Sequence, residues 1–260
     1  MAQLMQPKWK MAARVIPIIA AIALLKLLVN YYHLEFLALS SLFTALISAN
    51  TFLIGFNISG VLADFKAGEK LPGELAANIE AIADECVYIY KSKKTDASRA
   101  GFAYCADFTS KSLQWLYRTI RTKAIMKQIE GFTDIFLALE TVSQSSFIGR
   151  MKHEQSQIRK NVLRIHAIRE IRFSEAAYAI AEIISFMVVL GMIFLKLDPF
   201  YENMFFTVFV AFIFVYMLLL IRDLDDPFAY YDKKHSVEEI SLLSLEDLHL
   251  RLKNRLKEFD

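Results

Sequence analysis

The chain has 260 residues, and 30 Lys and Arg set against 28 Asp and Glu leave a formal charge of +2. Its apolar share of 55% lies above the ~45–50% of an ordinary soluble domain, and 21 Phe stand beside only 8 Gly and 5 Pro. That excludes a disordered chain, a collagen-like repeat and a turn-rich all-β fold. Two cysteines, Cys86 and Cys105, are too few for a dense disulfide framework and are expected reduced, in a cytosolic segment.

The first apolar run, Val15–Val29, is broken only by Lys26 and predicts a span over about 12–29. No small-residue cleavage site precedes a polar mature chain, so this span is expected to be retained rather than removed as a signal peptide. Leu34–Ala63 carries no charge after Glu35 and predicts a second span, about 36–63. Ala176–Leu195, interrupted by Glu182, and the uncharged Met204–Ile221 predict spans over 176–195 and 204–221. A hydrocarbon core of ~30 Å needs about 20 helical residues at ~1.5 Å each, and all four runs suffice. The short links Asn30–Glu35 and Lys196–Asn203 imply two antiparallel hairpins. The expected class is all-α: a polytopic helical membrane protein with four spans and a helical cytosolic domain.

Basic residues set the orientation. Lys8, Lys10 and Arg14 precede span 1, Arg222 follows span 4, and the link between spans 1 and 2 has no Lys or Arg. The positive-inside rule then places both termini and the middle segment in the cytosol. A cytoplasmic or plasma membrane is the expected location.

The middle segment, 64–175, holds 18 Lys and Arg against 14 Asp and Glu. Glu74–Tyr90 puts Leu75, Ile79, Ile82, Cys86 and Tyr90 on one helical face. A polar break over Lys91–Ser98 precedes a second amphipathic helix, from Phe102 to about Lys123, and a third over roughly Ile129–Val142. Gln144–Ser146 with Gly149 reads as a turn. From Met151 the pattern predicts a helix running straight into span 3. The tail 222–260 has two capping-box-like starts, Ser236 with Glu239 and Ser244 with Asp247. An apolar stripe of Leu245, Leu248, Leu252, Leu256 and Phe259 follows.

Catalytic chemistry finds no footing: there is no phosphate-cradling glycine loop and no nucleophile elbow, so no catalytic residue is assigned and an enzyme is not expected. His166 and Glu170 have a metal-compatible helical spacing, but Arg164, Arg169 and Arg172 beside them favour an ion-pair ladder. Glu80 and Asp84 share a face and read as solvated acids. No metal or other cofactor is expected. The middle segment's bases are matched by acids without aromatic interleaving, which argues against nucleic acid.

Three membrane features carry more. In span 2, Ser41, Thr44, Ser48, Phe52, Phe56 and Ser59 follow at three- or four-residue steps and line one face. It reads either as ordinary helix packing or as the wall of a water-filled path with a hydrophobic constriction. Glu182 is an intramembrane carboxylate and so a candidate for gating or proton coupling; it could equally pair with Arg172 or be reached by water. The stretch Arg222-Asp-Leu-Asp-Asp-Pro-Phe228 reads at its plainest as a helix stop.

Phe52-Leu-Ile-Gly-Phe-Asn57, followed by Asp64-Phe-Lys and Glu69-Lys-Leu, resembles the second membrane helix of the bestrophins. Asp225, Asp226, Pro227 and Phe228 are similar to the motif after that family's last membrane helix. The four-span plan with a large helical insertion agrees with it. The resemblance implies a homopentamer with one central pore lined by span 2: Ser48, Phe52 and Phe56 at the neck, Ser41 and Thr44 further out. It implies ions as the permeant and, from the Phe rings of the neck, anions such as chloride. Animal bestrophins bind Ca²⁺ through acids past the Pro-Phe. Here a single Asp232 is followed by two lysines, and a hard cation wanting several oxygens is not expected. The family's proline near the start of span 3 has no counterpart around Phe173–Ala181.

Two further readings stay open. In one, the span 2 face is buried against spans 1, 3 or 4. The protein is then a non-conducting membrane anchor that presents a cytosolic helical module, with the leucine stripe as its docking element; in a channel that stripe would wrap a neighbouring subunit. In the other, a proton-coupled carrier uses Glu182, although no inverted repeat or broken-helix pair is visible.

Overall fold

The computed structural model describes residues 7–170, 175–228, 230 and 239–257. Its helices are α1 (Pro7–Tyr31), α2 (Ser41–Lys93), α3 (Asp96–Leu116), α4 (Thr122–Glu140), α5 (Ser145–Glu170), α6 (Glu175–Phe194), α7 (Phe200–Leu224) and α8 (Leu243–Leu256). Extended pairing among the described residues is limited to a parallel bridge between β1 (Leu37–Ala38) and β2 (Leu195–Lys196), with Leu37 opposite Leu195. The class is all-α, and α1, α2, α6 and α7 are each long and apolar enough to cross a membrane.

The chain forms two compact units. The described part of the first is residues 7–65 and 175–226; that of the second is 66–170, 227, 228, 230 and 239–257.

In the first unit, α1 packs on α6 and α7, and α6 packs on α7. Ile54 and Val61 of α2 join Ala181, Val188, Phe214 and Leu218 in one apolar core. A side chain at Gly191 would place its Cβ 2.7 Å from Phe43 Cε2, so the Phe43 ring of α2 fills the space over the α6 backbone that glycine leaves. The outward surfaces of α1, α6 and α7 are apolar, with Ile16, Leu24, Ile183, Phe186, Phe205 and Phe209 exposed.

In the second unit, α4 packs between α3 and α5 and α8 lies on α3. Phe132 is at its centre, edge-on to Tyr104 and to Phe108 with ring centroids 4.9 and 5.2 Å away. Leu75, Ile79, Ile82 and Cys86 point into this core, as their spacing predicts.

Several boundaries differ from expectation. Span 2 and the amphipathic helix from Glu74 are one 53-residue helix, α2, which Pro72 does not interrupt. Leu71 and Pro72 are buried, and that burial offsets the lost hydrogen bond. The α2 helix opens at Ser41 rather than near 36, because Phe36 N donates to Phe194 O at 3.2 Å and Leu37–Ala38 are taken into the bridge. The polar break shrinks to Lys94 and Thr95, with Lys94 at φ 50°. The second cytosolic-type helix stops at Leu116 instead of Lys123, and Arg118 at φ 57° redirects the chain into α4. Gly149 lies inside α5, not in a turn, and open space surrounds the position of a Cβ there. Residues 171–174, the predicted join of α5 to span 3, lie outside the described residues, as does Ser236. Ser244 is in the first turn of α8 and is not its cap, which is Leu242.

Candidate functional site

The α2 helix decides what the first unit presents. Its inward positions recur as Asn50, Ile54, Asn57 and Val61, all buried. Asn50 Nδ2 donates to Ser185 Oγ at 2.9 Å and Asn57 Nδ2 to the Ala177 carbonyl at 3.2 Å. Two amides one face-repeat apart therefore fix the rotation of α2 against α6. The outward face follows from that rotation and is made of Ser41, Thr44, Ser48, Thr51, Phe52, Phe56 and Ser59. Phe52 is 77% and Phe56 63% exposed, so no helix of their own chain covers the rings.

Three hydroxyls on this face are satisfied locally. Thr44 Oγ1 donates to Ser40 O at 3.2 Å, Ser48 Oγ to Thr44 O at 3.0 Å and Thr51 Oγ1 to Ile47 O at 2.9 Å. Back-bonding of this kind lets a hydroxyl sit on a helix surface without a partner from another segment. The helix thus exposes a strip that is weakly polar in its first half and aromatic in its second.

The other expected residues fall elsewhere. Glu182 is exposed on α6 among the outward-facing Ile183, Phe186 and Met187; Arg172 lies outside the described residues. In the first unit, Asp225 closes α7, its N–H donating to Ile221 O at 3.0 Å, and Asp226 follows it. In the second unit, Pro227 O accepts Ile240 N–H at 3.1 Å and Phe228 is wholly buried. A Cβ on Gly68 would meet Ile240 Cδ1 at 3.0 Å and Phe228 Cε2 at 3.5 Å, so the Pro-Phe step plugs a gap that glycine leaves in α2. The stretch does stop α7, at Asp225, and beyond that stop Phe228 is buried in the second unit. Asp232 lies outside the described residues.

Two bland assignments gain definite partners. Glu80 is held by both guanidinium nitrogens of Arg251, Nη2 reaching Oε2 at 3.1 Å, and Asp84 accepts from Arg255 at 2.9 Å. The pair is thus a docking edge for α8 rather than merely solvated. His166 Nδ1 stands 3.4 Å from Thr122 Oγ1, which also accepts from Trp115 Nε1 at 3.1 Å. Among the described residues no cluster of three metal-ligating side chains occurs.

The leucine stripe is a correction. Leu245, Leu248 and Leu252 are fully buried within their own chain, where α8 packs on α3, so the stripe is core and not a free docking strip; Phe259 lies outside the described residues. What sequence reasoning passed over is Asn50 and a buried cluster around Lys26, Glu35 and Asn203. The signal for the second was present, since Lys26 is the one charge in an otherwise apolar run.

No family model matches the chain, and no curated protein matches it. Solved structures do. A variant of the bacterial bestrophin homologue from Klebsiella pneumoniae superposes with a TM-score of 0.78 at 15% identity, over 93% of this chain and 97% of that one. A second variant of that homologue gives 0.74 at 16% over 95% and 99%. The structure of the homologue phased on zinc gives 0.75 at 15% over 94% and 98%. At such identities the likeness speaks for architecture, and it runs through nearly the whole of both chains: the chain has the bestrophin fold, with four helices long and apolar enough to cross a membrane.

Proposed function

We propose that the protein is an oligomeric ion channel whose central pore is lined by α2 from every copy. Ser41 and Thr44 then stand toward the outer mouth and Ser48, Phe52 and Phe56 at the neck. The observation that carries this reading is the exposure of the Phe52–Phe56 strip together with the hydroxyl strip before it. Lipid suits the rings and tolerates hydroxyls whose protons are bonded within the helix, but those oxygens keep lone pairs free, and a shared, partly wet axis suits rings and lone pairs together. Anions such as chloride are the expected permeant, because the positive edges of Phe rings can face a partly dehydrated anion. A homopentamer with both termini in the cytosol completes the reading, the first part from the bestrophin resemblance and the second from the basic residues flanking the spans.

The anchor alternative needs the α2 face covered by its own chain and the leucine stripe free, and neither condition is met. Nothing specific favours the carrier.

The test is ion flux through purified protein in liposomes, with chloride and potassium gradients run separately and the oligomeric mass checked first. Wild type is expected to pass chloride faster than potassium. Phe52→Ala/Phe56→Ala is expected to raise flux several-fold by removing a dewetting constriction. Equal flux in wild type and variant, both correctly assembled, would take α2 off the permeation path.

A further inference from the structure

Lys26 lies near the C-terminal end of α1, in an otherwise apolar run, and is fully buried. Its ammonium donates to Glu35 Oε1 at 2.7 Å, to Leu195 O at 2.6 Å and to Ile193 O at 3.1 Å. An ammonium has three protons, and three acceptors take them all. The second oxygen of Glu35 accepts Asn30 Nδ2 at 3.2 Å, and Leu195 O also accepts Asn203 Nδ2 at 2.7 Å. One cation on α1 therefore gathers the Ile193 carbonyl at the end of α6, Leu195 of β2 and the segment leading into α2, and the start of α7 joins through Asn203 on the same Leu195 carbonyl. Immediately beyond Glu35 the hold continues through Phe36 N–H on Phe194 O and the Leu37–Leu195 bridge. Ser41 then opens α2.

The chemistry makes this clasp stiff. A buried charge is tolerated only when paired and hydrogen-bonded, and removing one partner leaves the other desolvated and alone. Ile193 O, in the last turn of α6, is a good acceptor for it, being unpaired within the helix and at the negative end of its dipole. The Asn50 and Asn57 bonds fix the rotation of α2 further along. At its first turn the clasp and the bridge it adjoins act together with the Phe43 ring, which packs against Gly191 of α6.

We propose that Lys26 and Glu35 are positioning residues for the mouth of the α2 face, setting where Ser41 and Thr44 stand. The consequence for conduction rests on the channel reading; the positional claim does not.

The test is thiol accessibility in the intact oligomer in liposomes. Cys86 and Cys105 are both fully buried, so the native background is low. Ser41→Cys and, separately, Ser59→Cys at the other end of the same face are labelled with a charged methanethiosulfonate. Lys26→Met or Glu35→Gln is expected to change the Ser41→Cys labelling rate by about five-fold or more, the size of a ~1 kcal/mol shift between held and released mouths. The Ser59→Cys rate is expected to stay unchanged. An unaltered rate at Ser41→Cys overturns the proposal, as does an equal change at both sites, which marks general loosening. Glu35→Gln keeps the shape of the side chain and carries the test if Lys26→Met fails to assemble; failure of both assigns the pair to folding alone and also overturns it. If wild type proves non-conducting, the labelling comparison still decides the positional claim.

Discussion

Tyr117 and Tyr230 tie the end of α3 to the chain's last segments. The Tyr117 hydroxyl donates to Glu246 Oε1 at 2.8 Å, the Tyr230 hydroxyl to Ile240 O at 2.6 Å, and the two rings meet edge-on at 5.6 Å. The bond to Glu246, then burial, raises the Tyr117 pKa; burial first, then the charge of Glu239, raises that of Tyr230. Folding thus favours both neutral phenols. The stability they add is complete below the ordinary tyrosine value of ~10 and is lost as pH rises through the raised folded values. Tyr117→Phe is expected to melt below wild type at neutral pH, with the gap narrowing as the solution becomes strongly alkaline. Melting midpoints taken across a pH series, alongside tyrosinate absorbance, check this; a gap independent of pH would mean that the phenol's ionisation is not what couples it to folding. Cys105 shows the same logic with a thiol. A hydrogen bond with Cys86, then burial, pushes its pKa well up, which keeps it protonated and slow to react.

Among the elements, α8 separates two kinds of contact. Its arginines make conspicuous bonds to Glu80 and Asp84, and its leucines make none. Yet Arg251 is about half exposed and Glu80 about a quarter, and ion pairs so placed contribute roughly 0–1 kcal/mol. A fully buried leucine truncated to alanine costs about 2–5 kcal/mol. Leu248→Ala is therefore expected to destabilise the second unit by at least twice as much as Arg251→Ala, measured by chemical unfolding in one detergent. The reverse order would mean that the arginine fork, not the apolar seam, holds α8 down.

The same helix shows what was legible beforehand. The three-to-four-residue spacing of Leu245, Leu248 and Leu252 announced a face to be buried, because periodicity records burial. It carries no record of the surface that does the burying, and α3 is too far away in sequence to be inferred. Likewise the Ser/Thr/Phe strip of α2 was visible as a face, but its outward direction depended on Asn50 and Asn57, two amides that look unremarkable in an apolar run. The bestrophin fold itself was readable from Phe52–Asn57 and Asp225–Phe228 in the right order. The unbroken path of α2 past Pro72 was not, since the burial of Leu71 and Pro72 supplies what the local sequence withholds.

Over the whole molecule, the first unit turns Ile16, Leu24, Phe205 and Phe209 outward, as suits lipid, and also exposes Glu182, which does not suit it, beside an α2 face of hydroxyls whose lone pairs have no partner in lipid. Polar groups at membrane depth are stable where they line a cavity or meet another protein surface, so a lone copy in lipid is not the expected resting state. A single cysteine at the neck can test the geometry of the assembly. If Phe52 lines a common axis, oxidation of Phe52→Cys is expected to join copies through that thiol, since the native cysteines are sealed inside the second unit. Each thiol can pair only once, so the product on a denaturing gel is a covalent dimer and never a longer ladder. A ring with an odd number of copies must leave one unpaired, and a monomer band should persist however strong the oxidant. Complete conversion to dimer would indicate an even-numbered assembly. No dimer at all, from protein that still runs as an oligomer, would mean that the Phe52 face looks away from the axis and that the pore, if there is one, is built from another helix.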